Sequence, residues 1–169
     1  MGSVLYRERD RVTFFDPQLP SDPESFLARA DRLVGDRKVS ALTTVRWHSR
    51  SRRQLIERYG ASISRARDVL EPGIVPLRFV RAQETIFYLP EPRALIPGDR
   101  ILGAGRGRLR LCPQSWLEYL PSKLTVCDLA ALLRPLLELP VEMVLVSHGE
   151  PVMSAGRRAL SRALDSATS

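Results

Sequence analysis

Residues 41–55 read ALTTVRWHSRSRRQL, and the rest of the chain is parsed from this stretch. Its first half belongs to a β-branched run over 39–47 (VSALTTVRW), which predicts a strand. Its second half opens on Ser51 with Gln54 three positions later, the spacing of a capping box. Leu55, Ile56 and Tyr59 follow on one helical face and Gly60 supplies a stop, so a helix is predicted from about residue 52. Between strand and helix stands His48, one of only 2 histidines in the chain.

The same order of strand, polar residue and helix recurs on both sides. Upstream, VTFFDP (12–17) predicts a strand ending in Asp16. Ser21, Pro23 and Glu24 then read as a capped helix start, with Phe26, Ala30 and Leu33 at helical spacing and Gly35 as the stop. Downstream, short β-like runs at 75–80, 85–89, 94–96, 100–102 and 108–111 are split by Pro and Gly and predict consecutive hairpins, with Gly105–Arg108 as one of the turns. A short helix is expected at 115–120. A Leu-striped helix is expected at 125–139 (Leu129, Leu132, Leu133, Leu136, Leu137), which Pro135 should kink or split. A strand at 141–147 and a helix at 154–164 capped by Ser154 close the chain. The reading is one α/β domain over 1–169, frayed at 1–10 and 165–169. Four acid–base or ligand-type residues, Asp16, His48, Asp99 and His148, fall at or just past predicted strand ends. Open α/β sheets form their ligand sites at that edge.

Composition narrows the classes. Hydrophobic residues are 44% and charged residues 27%, ordinary for a globular protein. No apolar run approaches the ~18 residues of a membrane span, and the start shows no basic-then-apolar leader, so a cytoplasmic protein without membrane contact is expected. The net charge of +7 permits polyanion binding. Yet 24 of the 26 basic residues are Arg, scattered from Arg7 to Arg162 rather than gathered in a tract. A basic nucleic-acid-binding domain is therefore the least favoured class, and Arg157, Arg158 and Arg162 read as the wet face of the last helix. Trp47 and Trp116 read as core or pocket wall. Cys112 and Cys127 belong to no CxxC pair and read as buried, reduced thiols. Glu150, just past His148, is a candidate acid or base, though loop glutamates are common.

From about Arg11 to about Val152 the motif order resembles the metallo-β-lactamase-fold hydrolase superfamily. VTFFDP resembles that family's early strand with its structural Asp. ALTTVRWHSRSRRQL occupies the place of the strand, histidine-rich loop and helix. ALIPGDRILG (94–103) resembles the strand carrying the metal-bridging Asp, with Asp99 in that role. VEMVLVSHGEP (141–151) resembles the last strand and its metal-binding His, with His148 in that role. The resemblance implies a four-layer αββα sandwich with a shortened N-terminal half. The exposed edge left by missing opening strands would suit a homodimer.

The resemblance also implies a ligand set that this chain does not complete. The family's first loop has the form His-x-His-x-Asp-His; here it reads His48-Ser49-Arg50-Ser51-Arg52-Arg53, and no histidine lies between His48 and His148. A catalytic zinc usually takes three protein ligands plus water. The survivors His48, Asp99 and His148 reach three only by converging on one ion, and a guanidinium cannot be neutralised to make room for a cation. The favoured expectation is a degenerate, metal-free centre in which Ser49, Arg50, Arg52 and Arg53 hold an anionic ligand, or which serves a protein partner. Against it stands the bland reading that one Arg satisfies Asp99 while the others face solvent. The alternative is a hydrolase of an ester or thioester-like bond that uses one zinc or other divalent ion on His48, Asp99 and His148, with Asp99 and His148 catalytic.

Overall fold

The structure is a computed structural model and describes residues 2–63 and 73–167. Its contacts group into two compact units, one within residues 2–69 and one within 70–169.

In the first unit the apolar residues of β2 (Arg11–Phe15) alternate. Val12 and Phe14 join Ala30, Val34, Val39, Ala41, Leu55 and Ala61 in a buried core. Thr13 points to the other face, where its hydroxyl meets that of Ser40 at 3.0 Å. The sheet has the order β1 (Val4–Arg7), β2, β3 (Lys38–Leu42), β4 (Ser62–Ile63). β1 pairs antiparallel with β2, and the other two pairings are parallel. Parallel neighbours need crossovers, which α1 (Glu24–Val34) and α2 (Arg52–Tyr59) supply. Residues 4–7, expected to fray, are thus paired across four positions with β2.

Asp31 joins the two helices. Arg58 donates to both of its carboxylate oxygens (3.0 and 2.6 Å) and the Tyr59 hydroxyl to one (2.7 Å). Arg58 and Tyr59 hold the Asp31 carboxyl below its ordinary 3.8, down to about 2. A depressed folded-state pKa stabilises the fold fully above the ordinary value and ceases to do so as the pH falls through the folded one. Asp31→Asn is therefore expected to be less stable than wild type at neutral pH. In urea unfolding the gap should close between about pH 4 and pH 2. A gap of constant size across that window would contradict the assignment.

The second unit holds a sheet of order β5 (Val75–Phe79), β6 (Glu84–Leu89), β7 (Ala94–Ile96), β10 (Met143–Val144). It also holds a separate hairpin of β8 (Ile101–Gly105) and β9 (Arg108–Leu111). The β5–β6–β7 strands are antiparallel and β10 is parallel to β7. The core runs from Ile86, Leu95, Ile101 and Leu102 to Leu129 and Leu133 of α3 (Val126–Leu133) and Leu160 and Leu164 of α4 (Gly156–Asp165). Pro135 acts as expected. α3 ends before it and a 3₁₀ turn covers Arg134–Glu138. No helix among the described residues is long and apolar enough to cross a membrane.

Several local expectations gave way to tertiary contacts. The strand predicted over 39–47 stops at Leu42, because Asp16 captures Thr44 and turns the chain into a 3₁₀ segment over Arg46–Ser49. The strand predicted over 141–147 is only Met143–Val144, since the Val144 N–H and carbonyl turn to Val152. The 115–120 helix is a single turn at Gln114–Trp116. None of the capping side chains at Ser21, Ser51 or Ser154 caps its helix. The capping box that does form is Thr125 with Asp128. Cys112 is buried as expected, but Cys127 is exposed, and Trp47 is 42% exposed rather than in a core. Residues 168–169, the end of the expected frayed tail, lie outside the described residues.

Candidate functional site

Asp16 ends β2 with a φ of +47°, in the left-handed region that Asp tolerates better than most residues. That turn directs its carboxylate at the segment after β3. Oδ1 accepts the Thr44 N–H at 2.7 Å, and Oδ2 accepts the Thr44 hydroxyl at 2.6 Å. Oδ2 lies 2.9 Å from Nδ1 of His48. All three residues are buried. A carboxylate in that place accepts from Nδ1–H, and the tautomer that does so keeps its lone pair on Nε2. The resemblance gave Asp16 a structural role; Thr44 had no signal beyond its place in a β-branched run.

The loop that follows His48 is tied to the segment after β2. The Ser51 N–H donates to the Pro17 carbonyl at 3.0 Å, and the Ser51 hydroxyl accepts the Leu19 N–H at 2.9 Å. That bond occupies the oxygen the capping box would have used. Arg50 donates to the Gln18 amide oxygen at 2.9 Å. Arg53 is almost fully exposed and pairs with Glu57 one helical turn on, at 2.8 Å. Ser49 and Arg52 are half-buried. The arginines of this loop are thus directed apart, Arg50 along the 17–19 segment and Arg53 along α2.

In the second unit, Asp99 is the middle residue of a buried Gly98-Asp99-Arg100 turn. Glu84, at the start of β6, holds that turn. Its carboxylate accepts the N–H groups of Gly98 (3.0 Å), Asp99 (2.8 Å) and Arg100 (3.0 Å). It stands 4.0 Å from the Arg100 Nε, which itself donates to the Ala82 carbonyl at 3.0 Å. Arg100 is 0% exposed. Burial pushes the Glu84 carboxyl up to about 7, against the pull of the Arg100 guanidinium and of the Gly98 and Asp99 N–H groups. Glu84 was missed in the sequence, because an acid at the head of an apolar run carries no local mark of a partner fourteen residues away.

His148 is fixed from the other side. The Gly103 N–H donates to the His148 carbonyl at 2.8 Å. The backbones pack so closely here that a Cβ on Gly103 would overlap the Glu150 main chain and one on Gly149 the Gly103 main chain. The Trp116 ring meets the His148 ring edge-on, with centroids 5.6 Å apart. His148 Nε2 and Asp99 Oδ1 are 3.1 Å apart, so two residues from the segments that follow β7 and β10 form one pair. Glu150, weighed as an acid or base, is exposed and its Oε2 accepts the Arg106 N–H at 3.2 Å.

No protein-family model matches the chain, and no curated protein is similar to it in sequence. Solved structures are similar in fold. A metallo-β-lactamase from Pontibacter korlensis matches with a TM-score of 0.64 at 12% identity, covering 98% of this chain and 86% of that one. One from Hirschia baltica matches with a TM-score of 0.61 at 10% identity, over 98% and 84%. The DIM-1 metallo-β-lactamase exposed to ceftazidime gives 0.59 at 12%, over 98% and 84%. At such identities the likeness speaks for architecture alone, and it agrees with the motif order read from the sequence: the chain has the metallo-β-lactamase fold.

Proposed function

We propose that this chain is a hydrolase-like protein of the metallo-β-lactamase fold whose two-metal centre has been lost, and whose remaining role is to bind an anionic ligand or a protein partner. The observation that carries the reading is the loop after His48, which has Arg50, Arg52 and Arg53 where the family has two histidines and an aspartate, together with the absence of any histidine between His48 and His148. A two-zinc centre needs about three protein ligands per ion, and two histidines with one bridging Asp do not fit it. No step is derived through such a centre. Arg50, Arg52 and Arg53 stand where the family places most of its first-loop ligands, with Ser49 beside them, and guanidiniums at such positions suit carboxylate or phosphate, not a cation.

One observation favours a second reading. A histidine whose Nδ1 donates to a buried carboxylate keeps Nε2 as its ligand nitrogen, which is the usual outer-sphere support of a metal-binding imidazole. In that reading His48, Asp99 and His148 share a single divalent ion. Such an ion, when bound, supplies an activated water at neutral pH for attack on an ester or thioester-like bond. The residues' part would be to hold it, with Asp16 fixing the His48 tautomer and Glu84 fixing the Asp99 turn.

Elemental analysis separates the two. Protein purified without added metal, then soaked in zinc or manganese and desalted, is expected to retain well under about 0.3 ion per chain, against the ~1 that a closed three-ligand site would keep. About one ion per chain, absent from Asp99→Ala, would overturn the metal-free reading and establish the second.

A further inference from the structure

Helix α4 carries an arrangement that the remnant centre does not use. A cleft of about 750 Å³ lies along the start of α4 and is lined by Arg93, Arg157 and Arg158. A second cleft of about 490 Å³ adjoins it and is lined by Arg108, Arg158 and Arg162. Ala155 and Arg158 belong to both. All these residues lie within the second unit.

The charges in the clefts are uncompensated. Some exposed arginines pair with acids, as Arg53 does with Glu57, Arg58 with Asp31 and Arg134 with Asp165, while others, such as Arg29 and Arg110, make no ion pair among the described residues. What sets the cleft arginines apart is that they line shared concavities. Among the described residues, the side chains of Arg93, Arg157, Arg158 and Arg162 make no ion pair or hydrogen bond. Arg108 makes only a 3.5 Å contact with the Gly105 carbonyl. Among the described residues, the one carboxylate lining either cleft is Glu142, and its Oε1 already accepts the Ala155 N–H at 3.1 Å. Asp165, one turn beyond Arg162, is taken by Arg134 and by the Ser161 hydroxyl.

The floor beneath them is rigid. The Gly156 and Arg157 N–H groups donate to the Glu142 and Val141 carbonyls at 2.8 and 2.9 Å. A Cβ on Gly156 would come within 2.8 Å of the Glu142 carbonyl, so only glycine allows this approach. The Arg93 carbonyl accepts from Glu142 and Met143, fixing the turn that carries that arginine. The first two N–H groups of α4 are therefore consumed internally. The groups left for a ligand are the guanidiniums, whose planar forks match phosphoryl oxygens in pairs.

We propose that these adjoining clefts bind a small ligand bearing two or more phosphoryl groups, with Arg158 shared between them. A small molecule is favoured over a nucleic-acid strand because the surface is concave and each cleft falls in the ~300–1,000 Å³ range of small-molecule sites. This inference is independent of the remnant centre, and substitutions at Arg52 would leave it unaffected.

The test is calorimetric titration of the full chain with inorganic triphosphate, alongside a short single-stranded DNA. Triphosphate is expected to bind, Arg158→Ala to weaken it by about tenfold or more, and Arg158→Glu to abolish it. Arg110→Ala, an exposed arginine that lines neither cleft, should change affinity by less than about twofold. These side chains are exposed, so unchanged melting temperatures will show that the variants fold. Three results would overturn the proposal: no heat with triphosphate at low salt; equal losses in Arg110→Ala and Arg158→Ala; or DNA binding tighter than triphosphate, which would make the face a nucleic-acid surface.

Discussion

Glu84→Ala is expected to lower the melting temperature by roughly 10 °C and to release the turn that carries Asp99. The carboxylate is the acceptor for three consecutive main-chain N–H groups, at Gly98, Asp99 and Arg100. It also stands 4.0 Å from the Nε of Arg100, an arginine that is 0% exposed. Each buried donor left without an acceptor costs about 1–3 kcal/mol, and breaking a buried ion pair by removing one partner costs about 3–5 kcal/mol. These terms overlap, because one side chain serves all of them, so about 4 kcal/mol is the expected loss. At ~2–4 °C per kcal/mol for a chain of this size, that gives the shift above. Glu91→Ala, in an exposed turn, is the control and should move the midpoint by less than about 2 °C. Scanning calorimetry reads both. Trp116 fluorescence adds a local readout, since its ring packs on His148, the partner of Asp99. A drop below about 3 °C in Glu84→Ala would mean that water or a shifted loop replaces the carboxylate without strain.

Asp16→Ala should cost a comparable amount in the other unit, about 3–4 kcal/mol, by leaving the buried His48 Nδ1 and the Thr44 N–H and hydroxyl without their acceptor. Asp16→Asn separates structure from electrostatics. Asn tolerates the left-handed backbone at this position and keeps the shape, but it offers one acceptor oxygen where the carboxylate offers two. It is expected to lose about half as much stability as Asp16→Ala. It should also move the imidazole proton from Nδ1 toward Nε2, which ¹⁵N correlation spectra of the ring report directly. A proton that stays on Nδ1 in Asp16→Asn would show that Thr44 or the surrounding backbone, rather than the carboxylate, sets the tautomer.

The local signals that held were those a residue carries in its own covalent structure. Pro135 lacks an N–H and ended α3. Gly60 closes α2 in the left-handed region, at φ +61°. The helix expected at 154–164 formed as α4 over Gly156–Asp165. The turn at Gly105–Arg108 joins two strands. What failed was strand length and capping. A β-branched run such as 39–47 reports burial, and a buried loop carries the same pattern as a buried strand. Asp16 decided between them by capturing Thr44, 28 positions away. Ser51 has the right neighbour for a capping box, but Leu19 reaches its hydroxyl.

The candidate site divides along the same line. Which residues can act as acids, bases or ligands is a matter of residue type and order. Two histidines, an Asp at each of two strand ends and three arginines after His48 were legible before any coordinates. So was the expectation that a two-metal centre would be short of ligands. The support of those residues was not legible. The Glu84 cradle spans 14 to 16 positions, the Asp16–His48 pair 32, and the Asp99–His148 pair 49. The clefts of α4 were hidden for the same reason. Arg157, Arg158 and Arg162 alone look like the wet face of a helix; only folding brings Arg93 and Arg108 to them and sends the neighbouring acids elsewhere. Composition and local order therefore set the chemical repertoire, whereas the pairing of polar groups depends on which distant backbone and side-chain atoms arrive within hydrogen-bond reach, and that is a property of the folded chain.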